Sequence, residues 1–215
     1  MVIKLGEYQT FADVMRRVGD VPPERIRVKP QPGSATVADV TRILDHEGKI
    51  CELVDGILVE KTMGMAESML TIYIARIMDD FVRPRNLGIL LGADGTIQIR
   101  VKLVRIPDIA FIAWDRFPDR KLPKEAVPLV VPNLAVEVLS KSNTKREMAI
   151  KREEYFDAGV VLVWEVDPTT RTIDVYTSLT DKSTLTIEDI LDGSPVLQGF
   201  GVPVKDLFAE LDRQG

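Results

Sequence analysis

The hydrophobic and polar positions of the chain follow a helical period in some stretches and a strand period in others. Apolar residues recur at helical spacing from Met65 to Val82, which predicts a helix that is apolar around most of its circumference and buried against a sheet. A second helix is expected after Thr144. Thr144 and Glu147 have the spacing of a capping box, and Gly159 suits the left-handed residue that follows a last helical turn.

Short apolar runs bounded by turn residues predict the strands. Asp55 and Gly56 separate two such runs and predict a hairpin with strands at about 51–54 and 57–61, preceded by a short helix that Ser34 or Thr36 can cap. Charged residues are expected to interrupt the strands near 102–105, a segment that we call the charged break. Further strand segments are "GILLGADGTIQIRV", "RIPDIAFIAW", "NLAVEVLS" and the hairpin "VVLVWEVDPTTRTIDVYTS", and more strand with a short terminal helix follows them.

This order of elements predicts the fold class and the domain organisation. The order is helix, hairpin, helix, strands, helix and strands. It indicates an α/β or α+β domain with a mixed central β-sheet flanked by helices and with additional β-hairpins. The length of 215 residues fits one domain. Because "VPPERIRVKPQPG" is rich in proline and charge, we predict an N-terminal arm or tail over 1–33 and a domain over 34–215.

Composition excludes several classes of protein. Hydrophobic residues make up 45% and charged residues 28% of the chain, and no apolar run approaches the roughly 20 residues that span a bilayer. The first residues lack the features of a signal peptide, so a cytoplasmic location without membrane contact is expected. Cys51 and His46 are the only residues of their types, which argues against disulfides, cysteine-cluster zinc sites and histidine-based catalysis.

The net charge and the absence of familiar phosphate-binding motifs exclude further classes of function. The net charge of −5 argues against a nucleic-acid binder with a uniformly basic surface, while a local basic patch stays open. The sequence has no glycine-rich phosphate loop and no Gly-x-Ser-x-Gly elbow. Any chemistry must therefore use carboxylates, lysines, hydroxyls or a hard cation.

Two acidic residues stand in apolar strand segments. Asp108 shares a strand face with Ile106 and Ala110, and Glu137 lies in "LAVEVL", which is apolar on both faces. A buried ionised carboxylate costs several kcal/mol unless it is paired. Two of them on neighbouring strands predict an oxygen-ligand site for magnesium or manganese. The alternative is a structural role, with each acid satisfied by a basic side chain or by backbone N–H groups.

The helix after Glu137 carries a lysine on its apolar side. Lys151 lies three residues after Met148 and four before Tyr155, so it should face the sheet. It is either the salt-bridge partner of the acids or a catalytic group that stabilises developing negative charge. Three other basic residues of this helix are expected to point outward: Lys145, Arg146 and Arg152.

Five segments together resemble a known family. In their order and spacing they resemble the Uma-type family of restriction-endonuclease-like proteins, a former domain of unknown function within the PD-(D/E)XK nuclease superfamily. The segments are "ELVDG", "IPDIAFI", "PNLAVEVLS", "KREEYFDAGVVLVWEVDP" and "IDVY". The resemblance extends from about Thr36 to Leu211. It implies a restriction-endonuclease-like fold in which Asp108, Glu137 and the backbone carbonyl of Val138 bind Mg²⁺ or Mn²⁺.

The resemblance also indicates which other residues serve the site. Glu52 of "ELVDG" matches a further acidic position, either as a metal ligand or as a structural anchor. The lysine that the superfamily places two residues after the glutamate is Leu139 here. Lys151 matches a helix lysine that is thought to reach the same site in this family, and Lys141 is the competing candidate.

The start of the long helix departs from the family. Many members have a histidine followed by a polar residue there, and this chain has Glu67 and Ser68. The role of that edge of the site is therefore open.

The function implied by the resemblance is metal-dependent hydrolysis of phosphodiester bonds in DNA or another nucleic acid, by an endonuclease-type enzyme that forms a homodimer. Two alternatives remain. A binding or interaction protein that keeps the fold without turnover is favoured by Leu139 and by the acidic net charge. A small-molecule phosphoesterase is also consistent with the sequence, because no motif reads bases.

Overall fold

The computed structural model describes residues 8–213. Within this range the helices are α1 (Phe11–Arg17), α2 (Val37–Glu47), α3 (Met65–Val82), α4 (Lys145–Ala158) and α5 (Val204–Ala209). The strands are β1 (Cys51–Val54), β2 (Ile57–Glu60), β3 (Gly88–Leu91), β4 (Ile97–Arg100), β5 (Leu103–Arg105), β6 (Ile109–Ala113), β7 (Leu134–Val138), β8 (Leu162–Asp167), β9 (Thr172–Tyr176), β10 (Lys182–Leu185), β11 (Ile190–Asp192) and β12 (Gly201–Pro203).

A six-stranded mixed sheet forms the centre of the molecule, with strand order β10-β9-β8-β7-β6-β3. Strands β7 and β8 are parallel, and all the other neighbours in this sheet are antiparallel. Parallel neighbours need a long crossover, which α4 provides. The predicted mixed central sheet flanked by helices is confirmed.

The predicted helices and hairpin have the local geometry that their sequences indicated. Helix α3 has the predicted bounds. Thr144 and Glu147 make both hydrogen bonds of the capping box at the start of α4, and Gly159 ends that helix at φ +99°. In the β1–β2 hairpin both turn residues have positive φ, 47° at Asp55 and 81° at Gly56, as a tight primed turn requires.

A second sheet of four antiparallel strands, β2-β1-β5-β4, corrects one sequence prediction. The expected charged break at 102–105 is wrong beyond Lys102, because β5 starts at Leu103 and pairs with β1. Lys102 takes the turn, with φ 57°. Arg105 can lie in a buried strand because Glu52 and Glu154 neutralise its charge.

The two faces of the six-stranded sheet carry separate hydrophobic cores. Helices α3 and α5 cover one face, where Ile74 and Phe208 pack on Trp164 and its neighbours. Helix α4, the N-terminal segment and residues of the four-stranded sheet cover the other face, with Tyr155 among its buried residues. The second face is the one that receives the predicted site.

Residues 8–33 form an arm that packs on the body of the protein. Val14, Val18 and Val21 are buried in the second core, and Ile26 bridges to Val59. The remaining part of the predicted arm, 1–7, lies outside the described residues, and the domain boundary at residue 33 stays a prediction. Over residues 8–213, none of the helices has both the length and the apolar character needed to cross a membrane.

Candidate active site

Asp108 and Glu137 come together because β6 and β7 are antiparallel neighbours. Ile109 pairs with Val136, and continuing this register places Asp108 opposite Glu137. Both acids lie on the sheet face that α4 covers, and each is only 4% exposed. The Val138 N–H donates to Oδ2 of Asp108 at 2.6 Å, which fixes one carboxylate against the neighbouring strand.

Lys151 reaches this pair of acids from α4. Its Nζ lies 3.1 Å from both carboxylate oxygens of Glu137 and 3.2 Å from Oε1 of Glu52. The Tyr155 hydroxyl donates to Oε1 of Glu137 at 2.6 Å. Lys151 therefore points inward beside Met148 and Tyr155, as the helical spacing predicted.

The other basic residues divide between solvent and the sheet. Lys145 and Arg146 are exposed, as expected. Arg152 corrects the prediction: it is partly buried, pairs with Glu165 at 2.6 Å and lies over the Tyr176 ring. Lys141 lies exposed in the loop after β7, because the strand ends at Val138 and does not carry the face of Glu137 that far.

Glu52 is held by three donors. Its Oε1 accepts the Ile106 N–H at 3.2 Å and pairs with Lys151, and its Oε2 pairs with Arg105 at 2.6 Å. Burial alone would raise the pKa of Glu52, but Lys151, Arg105 and Lys61 lower it to about 2. In this arrangement Glu52 orients cations that flank the acid pair.

The buried charges continue outward from the site as a chain of alternating sign. Arg105 also pairs with Glu154 of α4, and Arg17 of the arm joins Glu154 to Asp55, each at 2.7 Å. In order from the surface, the chain runs Asp55, Arg17, Glu154, Arg105, Glu52, Lys151 and Glu137. The arm is thus linked to the acid pair through ion pairs.

Lys61, which follows β2, is a site residue that the sequence analysis missed. Its Nζ lies 2.8 Å from Oδ1 of Asp108 and donates to the Ile106 carbonyl at 2.6 Å. A signal was available, because Ile57, Val59 and Lys61 alternate along one strand face and the first two are buried. Tyr155 was recognised only as an apolar position, and Arg105 was assigned to a break.

Burial and neighbouring charge set the protonation of the central groups. Burial alone would lower the pKa of Lys151, but Glu137 and Glu52 outweigh it and raise that pKa. Burial raises the pKa of Glu137. The negative charge of Asp108 raises this pKa further, whereas the positive charge of Lys151 lowers it. Burial also raises the pKa of Tyr155, so its hydroxyl stays a hydrogen-bond donor. Lys151 therefore does not fully offset the cost of burying the charge of Glu137.

Comparison with known families gives a match over most of the chain. The model of the Uma2 family, described as "Putative restriction endonuclease", matches residues 37–205. The chain belongs to the Uma2 family. The matched range contains Asp108, Glu137, Lys151 and Glu52, whereas the arm lies before it. A search of curated proteins gives no match.

A solved structure has the same fold as this Uma2 protein. It is the crystal structure of a "putative nuclease belonging to DUF820" from Anabaena variabilis, with a TM-score of 0.68 and 18% sequence identity. The match covers 76% of this chain and 92% of the other. The predicted restriction-endonuclease-like fold is thus supported by the Uma2 family and by a structural neighbour with the same fold.

A small polar pocket lies at the acid pair of this Uma2 protein. Its volume of about 20 Å³ suffices for a water molecule or an ion. Asp108, Glu137 and Lys151 are buried residues of its lining, and Lys61 lines it too. Five further lining residues are more exposed, and we call them the mouth: Thr62, Met63, Glu67, Ser140 and Asn143. Glu67, whose role the sequence left open, is thus one of the residues of the mouth.

The pocket offers oxygen donors of the kind that a hard cation binds. Across residues 8–213, no three side chains drawn from His, Cys, Asp and Glu are grouped so that they could hold a metal ion. The candidate donors are instead two carboxylates, Asp108 and Glu137, with the backbone of Val138 beside them. This set of carboxylate and backbone oxygens fits Mg²⁺ or Mn²⁺ in chemistry.

Proposed function

We propose that this Uma2 protein is a metal-dependent nuclease that hydrolyses phosphodiester bonds in DNA or another nucleic acid. One observation carries the proposal: Asp108 and Glu137 meet on adjacent strands in a polar pocket, with the ammonium of Lys151 at 3.1 Å from Glu137. Membership of the family and the likeness to a described nuclease support it.

A divalent cation, Mg²⁺ or Mn²⁺, would be held by Asp108, Glu137 and the Val138 carbonyl. When bound it supplies Lewis-acid stabilisation of the phosphate. Glu52 acts in this proposal as an anchor, because its two oxygens already bind Ile106, Lys151 and Arg105.

Lys151 acts through its charge. The neighbouring acids keep its amine protonated, so it cannot serve as a general base. Its ammonium instead stabilises negative charge that develops on the phosphate during attack. Tyr155 and Lys151 together fix the orientation of Glu137, whose carboxylate would otherwise be free to rotate.

The surroundings of the mouth favour a polyanionic substrate. Lys141 and Lys145 are exposed on the segment that leads from β7 into α4, and neither forms an ion pair with any residue in the range 8–213. Cations placed in this way bind the phosphate backbone of nucleic acids without reading sequence. A phosphodiester is larger than the pocket of about 20 Å³, so binding of this substrate requires the pocket to widen.

The experiment is a Mg²⁺- or Mn²⁺-dependent cleavage assay on double- and single-stranded DNA, RNA and bis-p-nitrophenyl phosphate. Asp108→Asn, Glu137→Gln and Lys151→Met should each lower the rate on the order of 10²–10³-fold. Glu153→Gln on α4 and Lys205→Met on α5, both exposed and outside the proposed substrate contacts, are matched controls that should keep wild-type activity. Equal activity in all six proteins would identify a contaminating nuclease and refute the proposal.

A second candidate function is nucleic-acid binding by a nuclease fold without turnover. The observation in its favour is that Lys61, Lys151 and Arg105 already occupy the carboxylates of the pocket. This function predicts that the protein binds labelled DNA, that Lys141→Ala and Lys145→Ala weaken the binding, and that no metal supports cleavage. Hydrolysis of the small diester alone would select a small-molecule phosphoesterase.

A further inference from the structure

Lys61 is a largely buried cation that the proposed reaction does not use. Its side chain is 10% exposed, and its Nζ is fixed by the Ile106 carbonyl at 2.6 Å as well as by Asp108 at 2.8 Å. Lys61 directly follows β2 and lines the pocket. A lysine with two fixed partners has lost the side-chain freedom of a solvated surface lysine.

The two oxygens of Asp108 have different partners. Oδ2 accepts the backbone N–H of Val138, and that bond belongs to the contact between β6 and β7. Oδ1 takes no part in that bond and is the oxygen that Lys61 contacts. The ammonium of Lys61 therefore occupies the oxygen of Asp108 that is available to a ligand.

We infer that Lys61 is a tethered counter-ion that competes with the divalent cation for Asp108. This inference rests on the proposed function, because it concerns the metal affinity of the same site. Without metal, Lys61 neutralises Asp108 and spares the buried carboxylate an unpaired charge. When a cation enters, two positive charges share one carboxylate oxygen, and their repulsion lowers the affinity of the site unless Lys61 moves away.

The first test is Mn²⁺ binding by isothermal titration calorimetry to the full-length wild type, Lys61→Met and Lys49→Met. Lys49 is the matched control, because it flanks the same hairpin and pairs with Glu60 outside the pocket. Lys61→Met should bind Mn²⁺ about tenfold more tightly or better, while Lys49→Met binds as the wild type does. Equal or weaker binding by Lys61→Met would overturn the inference.

Asp108→Asn separates this inference from the proposed function. If the wild type binds Mn²⁺ and Asp108→Asn does not, the metal lies at the proposed site. The Mn²⁺ affinity of Lys61→Met then tests the role of Lys61 alone. If the wild type binds no Mn²⁺, the metal-dependent function and the competition inferred here both fail.

A second measurement uses the wild-type protein and does not depend on how well a variant folds. Lysine acetylation by acetic anhydride is followed by mass spectrometry with and without Mg²⁺. Displacement of Lys61 by the ion should raise its labelling several-fold, whereas labelling of Lys49 stays constant. Unchanged or reduced labelling of Lys61 at a Mg²⁺ concentration that saturates the site would overturn the inference.

Discussion

Single residues in this protein depend on charges that lie far away in the chain. Lys151 is 3% exposed and is the shared partner of Glu137 and Glu52. Removing one member of a buried ion pair costs more than the pair contributes, because the remaining charges stay buried without compensation. The stability of the fold and the chemistry of the site therefore rest on the same side chains.

We expect Lys151→Met to lower the free energy of unfolding by about 3–5 kcal/mol, since it leaves two buried carboxylates without their common cation. Urea denaturation followed by circular dichroism measures this change. Lys145→Met, on the exposed face of the same helix, should leave the urea midpoint unchanged. Equal midpoints for the two variants would show that Lys151 is not needed to neutralise the acids.

The candidate site could be predicted in part at this scale. Strand alternation showed that Asp108 and Glu137 would be buried, and helical spacing showed that Lys151 would face them. The same rule applied to β2 would have found Lys61. The functional roles of these residues stay predictions, as does the homodimer.

At the scale of elements, α4 depends on contact with the arm. A Cβ added to Gly19 would lie 2.4 Å from Cα of Glu147 and 2.5 Å from its N, in the first turn of α4. Gly19 also has φ +77°, so both its conformation and its closeness to the helix exclude a side chain. Arg25 of the arm pairs with Glu147 at 3.0 Å and reinforces this contact.

Gly19→Ala should therefore destabilise the protein more than Gly159→Ala. Both positions have positive φ and should lose about 1–2 kcal/mol from backbone strain, but nothing lies within 4 Å of a Cβ at Gly159. Steric overlap with α4 should add about 1–3 kcal/mol at Gly19. Thermal and urea unfolding of the two variants check the difference, and equal losses would contradict the close packing of arm and helix.

At the scale of the whole molecule, the arm is part of the folded body. The family match begins at residue 37, yet Arg17 and Arg25 from the preceding segment neutralise Glu154 and Glu147 of α4. The buried valines of the arm join the same core as Tyr155. The site of this protein is therefore supported by a segment that the family match does not include.

Deletion of residues 1–33 should remove most of the stability. It leaves Glu154 and Glu147 with fewer partners and uncovers core residues, and the expected loss of more than about 5 kcal/mol is comparable with the whole stability of an ordinary domain. Differential scanning fluorimetry and size-exclusion chromatography measure the result. A truncated chain that unfolds cooperatively at the wild-type temperature would show that the arm is dispensable.

In the full-length protein, the contribution of the arm to stability is tested by comparing Arg17→Met with its matched control Arg16→Met. Arg17 is partly buried between Asp55 and Glu154, whereas Arg16 is exposed and pairs only with Asp13 among the described residues. We expect a lower melting temperature for Arg17→Met alone. Equal melting temperatures would indicate that the link from the arm to Glu154 adds no stability.

The sequence by itself determined many of the elements and the buried face of several of them. Caps, turns and apolar periodicity are properties of consecutive residues, so the bounds of α3, the cap of α4 and the β1–β2 hairpin could be predicted without knowledge of the rest of the chain. Only the tertiary structure decided which charges become partners. Arg105 and Glu52 are 53 residues apart, and Arg17 and Glu154 are 137 apart. Such pairs form where separate elements meet, and the periodicity of one element carries no information about the position of another.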